Sequence, residues 1–427
     1  MARVLISAFS CFPGEGSEPG VGWKTVVAAA ADHEVWVITD CARKEALLSH
    51  SAVKSLPQVH WEFLRVPMLS RWAHGLWSHG VVWWVYYLVW QMVQGRVAKR
   101  LHGEVGFDLC HHATYVKYNT PSALPLLGIP FLWGPVGGAE RAPMAFYRPH
   151  GWRTRIGEAA RRVLQSLARI DPWLRWTALR ATRAIAVTQE TETEMLALGV
   201  RRCDVIPAVS LDESELDAIR AAAGTRMNRG DGDSLTVLFV GRLIPWKGVD
   251  LAIRAVAEAS VENLRLRVIG EGRERARLEA LAAELGLVSR VEFLGAMPRE
   301  TVLRAYDQAD GFLYPSLHDS GGQVVLEAMA AGLPVLTLRS GGPHVFVDDS
   351  CGWKVSVNQP TQVVRDLAAC LREFSGSREL RHARGISARI RAMQHFNAED
   401  GSVQIRRIYS EMLAEPADGE SSAASRS

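Results

Sequence analysis

The chain has 427 residues, 48% of them hydrophobic and 22% charged, with 49 basic against 46 acidic side chains and a net charge of +3. That length exceeds what one hydrophobic core usually organises, so two domains of an ordinary globular protein are expected. A charge so near balance demands no nucleic-acid partner. The six scattered cysteines (Cys11, Cys41, Cys110, Cys203, Cys351, Cys370) form no CxxC pair, which argues against a zinc or redox site and for a reduced, cytoplasmic setting.

In chain order, the opening MARVLISAF holds too short an apolar run for a signal peptide and reads as a first strand, RVLISAF (3–9). PGEGSEPGVGWKT (13–25) follows as a turn into a capped helix. Further strands are expected at HEVWVIT (33–39), HWEFLRV (60–66), FDLCHH (107–112), PFLW (130–133), RAIAVT (183–188) and CDVIP (203–207). VVWWVYYLVWQMV (Val81–Val93) is 13 residues without charge, short of the ~20 that cross a bilayer. It is expected as a buried helix of an α/β domain. The competing reading is an interfacial helix, because tryptophan and tyrosine suit the headgroup layer and Arg96, Lys99 and Arg100 follow.

FDLCHHATY (107–115) ends a strand with His111 and His112, which alternate to opposite faces. WGPVGGAE (133–140) brings a Gly–Gly turn and Glu140 to another strand end. From Arg148 to Arg183 nine arginines stand against two acids, Glu158 and Asp171, with Trp152, Trp173 and Trp176 among them. Such a patch suits an anionic membrane surface or a diphosphate-bearing acceptor, although charge runs on helices are ordinarily solvated faces.

The polar, Gly- and Asp-rich AAAGTRMNRGDGDS (221–234) separates the halves. Beyond it, strands LTVLFV (235–240), LRLRVI (264–269), VEFL (291–294), GFLYP (311–315), PVLTL (334–338) and GWKV (352–355) alternate with helical patterns such as Asp250–Ala259 and Arg273–Glu284. That alternation implies a parallel sheet with right-handed crossovers. A last helical pattern, 398–413, comes after the sheet is complete, where such a helix often packs back on the first domain. The expected organisation is a first domain 1–207, a linker 208–234, a second domain 235–390, a returning helix 391–414 and a disordered tail 415–427.

Chemistry gathers in the second half. FVGRLIPWKGVD (239–250) releases a strand at Gly241 and sets Arg242 and Lys247 in the loop that opens a helix, an arrangement that suits an anion. VIGEGRER (268–275) repeats the design with Gly270 and Gly272, whose bare backbone lets a phosphate or sugar approach, and RSGGPH (339–344) is a third glycine turn. In YPSLHDSGGQVVLEAMAAGLPVL (314–336), Asp319 falls in a loop and Glu327 on the following helix. Both can look into the crevice above the strand ends, where open α/β sheets bind ligands. All these turns follow strands of one sheet and so lie along one edge.

In this order and spacing, GRLIPWKG, IGEG, FLGAMP and PSLHDSGGQVVLEAMAAGLPV resemble the retaining glycosyltransferases of family 4, with the two-domain GT-B fold. The likeness covers Leu235 to about Val355 strongly and the first domain moderately. It implies two Rossmann-like domains facing across a cleft, with the C-terminal helix crossing back. By the same resemblance Arg242 and Lys247 grip the nucleotide diphosphate, and Glu327 takes the ribose hydroxyls. Asp319 stands where these enzymes usually have glutamate, facing the donor sugar. Ser320, Gly321 and Gly322 replace a more usual Gly-aromatic-Gly whose amides meet sugar and phosphate. Gly20 and Gly22 match a flexible glycine loop near the donor phosphates, and one of His111 and His112 matches a histidine that contacts the donor sugar.

The reaction so implied moves a hexose-type sugar from a nucleotide diphosphate sugar to a hydroxyl of a glycan, lipid-linked or small-molecule acceptor, with retention. UDP is the expected nucleotide, with GDP and ADP open. No dedicated protein base is implied: the leaving diphosphate takes the acceptor proton while Arg242, Lys247 and the helix N-terminus stabilise developing charge. No Asp-x-Asp pair stands where a metal-bound diphosphate would need one, so no metal or other cofactor is expected. Two alternatives are a nucleotide-sugar epimerase of the same fold and a non-catalytic membrane-associated scaffold. Intact Arg242, Lys247 and Glu327 argue against the second.

Overall fold

The structure is a computed structural model and describes residues 1–15, 17–66, 81–222 and 234–415. The Gly- and Asp-rich centre of the expected linker and the polar tail from 416 lie outside these residues. The chain divides into two compact units.

The first unit comprises Met1–Ala139, Gln165–Ala208 and the segment from Gly401 onward. Its sheet holds β1 (Arg3–Ser7), β2 (Glu34–Asp40), β3 (Val59–Leu64), β4 (Leu109–His112), β5 (Phe131–Val136), β6 (Arg183–Ala186) and β7 (Cys203–Val205). They lie in the order β3-β2-β1-β4-β5-β6-β7, and every neighbouring pair is parallel, with Val4 opposite Val35 on one side and Leu109 on the other. Strands buried on both faces read as continuous apolar runs, which is why VLIS and LCHH are buried throughout. The helix Ala398–Ala414 adds Ile408, Tyr409 and Met412 to this unit's core, and Arg406 grips Asp32 at 2.6 and 2.8 Å.

The segment expected as either buried or interfacial forms the helix Val81–Val105. Tyr86, Tyr87, Trp90, Gln91 and Gln94 on it are buried, with Tyr86 bonded to Asp40. These aromatics are therefore core, as the buried-helix reading expects, while Val85 and Met92 of the same segment are exposed. No helix among the described residues is long and apolar enough to cross a membrane.

The second unit comprises Glu140–Leu164 and Val209–Asp400. Its sheet holds β8 (Leu235–Val240), β9 (Leu264–Ile269), β10 (Val291–Gly295), β11 (Gly311–Tyr314), β12 (Val335–Leu338) and β13 (Gly352–Val355), in the order β10-β9-β8-β11-β12-β13. This is the doubly wound parallel order whose direction of winding reverses between β8 and β11, leaving a crevice at their carboxyl ends.

Three features depart from the expected domain limits, the first being that Arg391–His395, expected in the returning helix, ends the helix Arg378–His395, whose Ala392 lies in the second unit's core. The stretch 208–234 contains a helix, Glu213–Ala222, whose Leu216 and Ile219 enter the second unit's core. Glu140–Leu164, expected in the first domain, belongs with the second unit because Phe146 and Tyr147 are buried in that core and His150 Nδ1 lies 2.7 Å from Glu274.

Candidate functional site

The loops after β8 and β11 meet at the reversal point of the second sheet. Gly248 makes this possible: its φ is +68°, and a Cβ there would lie 2.1 Å from the Pro315 carbonyl oxygen. The Leu317 amide donates to the Trp246 carbonyl at 2.8 Å, pinning one loop to the other. Lys247, at the end of the short turn Pro245–Lys247, thereby reaches Asp319, with Nζ 2.5 Å from Oδ2 and 2.5 Å from the Tyr314 hydroxyl. Tyr314 donates to the same carboxylate oxygen at 2.6 Å. Oδ1 accepts from the amides of Gly321 and Gly322 at 3.3 and 3.2 Å.

Asp319 thus has four donors around a mostly buried carboxylate. Burial pushes its pKa up, but the Lys247 charge and the hydrogen bonds from Lys247, Tyr314 and Gly322 outweigh it and hold the group below the usual aspartate range. Burial beside that carboxylate pushes the Tyr314 phenol well up. Arg242 differs from Lys247: its side chain is exposed and has no hydrogen-bond or ion-pair partner among the described residues. It lies near enough to act electrostatically on Tyr314. The site therefore holds one cation anchored on an acid and one unpaired.

Glu327 is 4% exposed on the helix Gln323–Ala330. Its Oε1 accepts from Arg299 at 2.9 Å and its Oε2 from the Tyr306 hydroxyl at 3.1 Å. Burial raises its pKa more than Arg299 and Tyr306 lower it. Each oxygen keeps room for a further donor, since a carboxylate offers about four acceptor positions. Arg299 also reaches Glu215 at 3.4 Å, and Gln323 donates to the same Glu215 oxygen at 2.8 Å.

The glycines have identifiable local reasons. A Cβ on Gly270 would lie 1.9 Å from the Gly241 carbonyl oxygen, and one on Gly272 2.3 Å from that of Leu243. These positions therefore let the loops after β8 and β9 stack backbone on backbone. Gly322 has φ +67° at the start of its helix, while Gly321 has only Val209 and Asp319 nearby.

Several members of this cluster escaped the sequence reading: Tyr314 beside Asp319, Arg299 and Tyr306 on Glu327, and His318. His318 stands inside the motif but had no assigned role. Its ring stacks on Trp246 (centroids 5.4 Å apart, 15° between planes), and burial above all pushes its pKa down to about 3, so it is neutral. Its Nε2 is 4.0 Å from Glu158 and makes no hydrogen bond among the described residues.

The remaining expected site residues lie in the first unit. Gly20 and Gly22 sit within the helix Ser17–Ala30 rather than in a loop. A Cβ on Gly20 would come within 2.0 Å of the Glu15 carbonyl oxygen, and one on Gly22 within 2.3 Å of that of Ser10, so both serve close packing on the chain after β1. His111 and His112 are fully buried. His111 Nε2 is 2.6 Å from the Gly134 carbonyl, so it carries the proton, and Nδ1 then accepts from Tyr409 at 2.7 Å. His112 Nε2 lies 3.1 Å from both the Tyr87 hydroxyl and the Gln91 amide nitrogen. Burial lowers their pKa to about 4 and about 3, keeping both neutral. Glu140 is buried at the start of the second unit's first segment.

Residues 226–391, which hold the whole Arg242–Lys247–Asp319–Glu327 cluster, match the family model described as glycosyl transferases group 1. D-inositol 3-phosphate glycosyltransferase of Nocardia farcinica is 33% identical over 225 residues, 48% of this chain and 50% of that one. 2-Deoxystreptamine glucosyltransferase of Streptomyces kanamyceticus is 30% identical over 233 residues, 52% and 56% of the two chains. The chain spans about half the length of these curated relatives. Sucrose-phosphate synthase from Thermosynechococcus elongatus superposes with a TM-score of 0.62 at 20% identity, over 97% of this chain and 100% of that one. Anabaena HepE in complex with UDP and glucose does so with 0.55 at 19%, over 97% and 99%. The chain has the GT-B fold, two Rossmann-like parallel-sheet units, and its second unit is similar in sequence to the group 1 glycosyl transferases.

Proposed function

We propose that the protein is a retaining glycosyltransferase that takes a hexose-type sugar from a nucleotide diphosphate sugar, with UDP the favoured nucleotide, and passes it to a hydroxyl acceptor. The observation that carries the reading is the pair of cations at the reversal point of the second sheet, Arg242 unpaired and Lys247 held on Asp319. The leaving diphosphate gains negative charge as its bond to the sugar breaks, and Lys247 fixed on Asp319, with Arg242 beside it, lowers the barrier by stabilising that charge as it develops. Glu327, with acceptor capacity left on both oxygens, takes the ribose hydroxyls. Asp319 has its four acceptor positions filled, so it acts chiefly by positioning Lys247. The two cations do the work a metal ion would do on the diphosphate, and the reaction is metal-independent on this reading. The acceptor proton leaves on the diphosphate oxygen itself, on the same face, which gives retention. The UDP assignment draws on the HepE likeness, whose complexes contain UDP and glucose.

The test is a thermal-shift panel of UDP, GDP, ADP and their sugar conjugates with and without EDTA. A ligand bound only by the folded state raises stability by ~2.7 kcal/mol at a hundredfold excess over its Kd. One nucleotide standing out, with its shift unchanged by EDTA, is the expected result. Silence across the panel defeats the reading. Interconversion of UDP-sugars without an acceptor would favour the epimerase instead.

A further inference from the structure

The helix Gly151–Leu167 is turned the wrong way round for a surface helix of a water-soluble protein. Trp152, Ile156, Val163 and Leu164 are 65, 59, 57 and 61% exposed, and Ala159 and Ala160 between them are exposed as well. At helical spacing Trp152, Ile156, Ala159, Ala160 and Val163 form one continuous apolar stripe. The polar side points inward: Glu158 is buried and bonded to Arg161 at 3.0 Å, Arg161 holds the Glu140 carbonyl at 2.9 Å, and Arg162 bonds the Ala142 carbonyl. Arg161 and Arg162 tether the helix to its own unit, and its apolar face has no partner among the described residues.

The charge around that face identifies what covers it. Arg148, Arg153 and Arg155 are exposed beside the stripe, and none has an ion-pair partner among the described residues. The helix's one acid, Glu158, is on the opposite side. A two-fold contact with a second copy would set arginines against arginines. A surface of lipid phosphates over acyl chains complements both features at once. We propose that this helix lies flat on an anionic lipid surface, with Trp152, Ile156 and Val163 at the acyl boundary and Arg148, Arg153 and Arg155 among the phosphates. The inward side of the same helix reaches the candidate site, since Glu158 lies 4.0 Å from His318, which stacks on Trp246 next to Lys247. Docking therefore sets a wall of the donor site at the membrane.

Cosedimentation of the full chain with phosphatidylcholine vesicles, with and without phosphatidylglycerol, reads this without turnover and independently of the transferase reading. Binding to the anionic vesicles only, released by raised salt, is expected. The double variant Ile156→Glu/Val163→Glu should lower partitioning at least tenfold. Arg153→Ala and Arg155→Ala should each lower it about fivefold, the worth of one basic side chain near an anionic surface. All should melt with the wild type, because the replaced side chains project into solvent. Equal binding to neutral vesicles, no binding to either, or variants that sediment like the wild type would each overturn the proposal. So would concentration-dependent dimerisation abolished by Ile156→Glu without lipid binding, which would assign the face to a second copy.

Discussion

Replacing Lys247 by alanine strikes stability and ligand binding together, and the two can be separated. The Lys247–Asp319 pair is largely buried, with 13 and 18% of the side chains exposed. Removing one partner of such a pair costs ~3–5 kcal/mol because the other charge is stranded. Asp319 keeps the Tyr314 hydroxyl and two backbone amides, so the low end, about 3 kcal/mol, applies. For a unit of this size that is a fall in Tm of roughly 6–12 °C. Lys247→Ala/Asp319→Asn leaves no buried charge and should recover about 2 kcal/mol of the loss. Nucleotide affinity should not recover: both variants lack one charge-assisted phosphate contact, ~10–100-fold in Kd.

pH gives a further handle. The carboxyl of Asp319 lies below its ordinary value in the folded wild type, so its contribution is present at neutral pH and is lost only as pH falls through that depressed value. Without Lys247 burial dominates and the carboxyl rises instead. The single variant should then regain ground on the wild type as pH falls from neutral towards ~4. Chemical denaturation across that range, with titration calorimetry of UDP, measures all of this. A double variant as unstable as the sum of the single losses would refute the coupling.

Two other substitutions probe separate parts. Glu327→Gln keeps the shape but loses the charge that on the proposed reading takes the ribose hydroxyls, so UDP affinity should fall about tenfold. Because burial raises the Glu327 pKa, wild-type affinity should itself weaken as pH drops through that raised value, and the glutamine variant should lack this dependence. Tyr409→Phe removes the donor to His111 Nδ1 in a fully buried place, which should cost ~1–3 kcal/mol in urea unfolding while leaving nucleotide binding to the second unit unchanged.

The strands were the most legible part of the sequence. LTVLFV, LRLRVI and GWKV coincide with β8, β9 and β13 residue for residue: LTVLFV reads as the near-continuous apolar run of a strand buried on both faces, and LRLRVI as an alternation in which Leu264 and Leu266 are buried and Arg265 and Arg267 are less so. The cluster of the candidate site was legible because each of its motifs follows a strand of one sheet. What escaped depends on packing between distant segments. Nothing local in Glu140–Leu164 says that Phe146 and Tyr147 enter the core of the second unit, or that Arg161 and Arg162 of the following helix turn inward while Trp152 and Leu164 turn outward. Glu213–Ala222 was absorbed into the expected linker because two core residues, Leu216 and Ile219, make a weak periodic signal. His318 stood in plain view, but its stacking on Trp246 requires the loop contact that Gly248 permits.

The most direct test of the central claim is titration of UDP into the Arg242→Ala variant. Arg242 is exposed and has no partner among the described residues, so its loss should leave Tm unchanged while weakening UDP binding ~10-fold or more through one lost charge-assisted contact to the diphosphate. A variant that binds UDP as the wild type does would contradict the assignment of the diphosphate to this crevice.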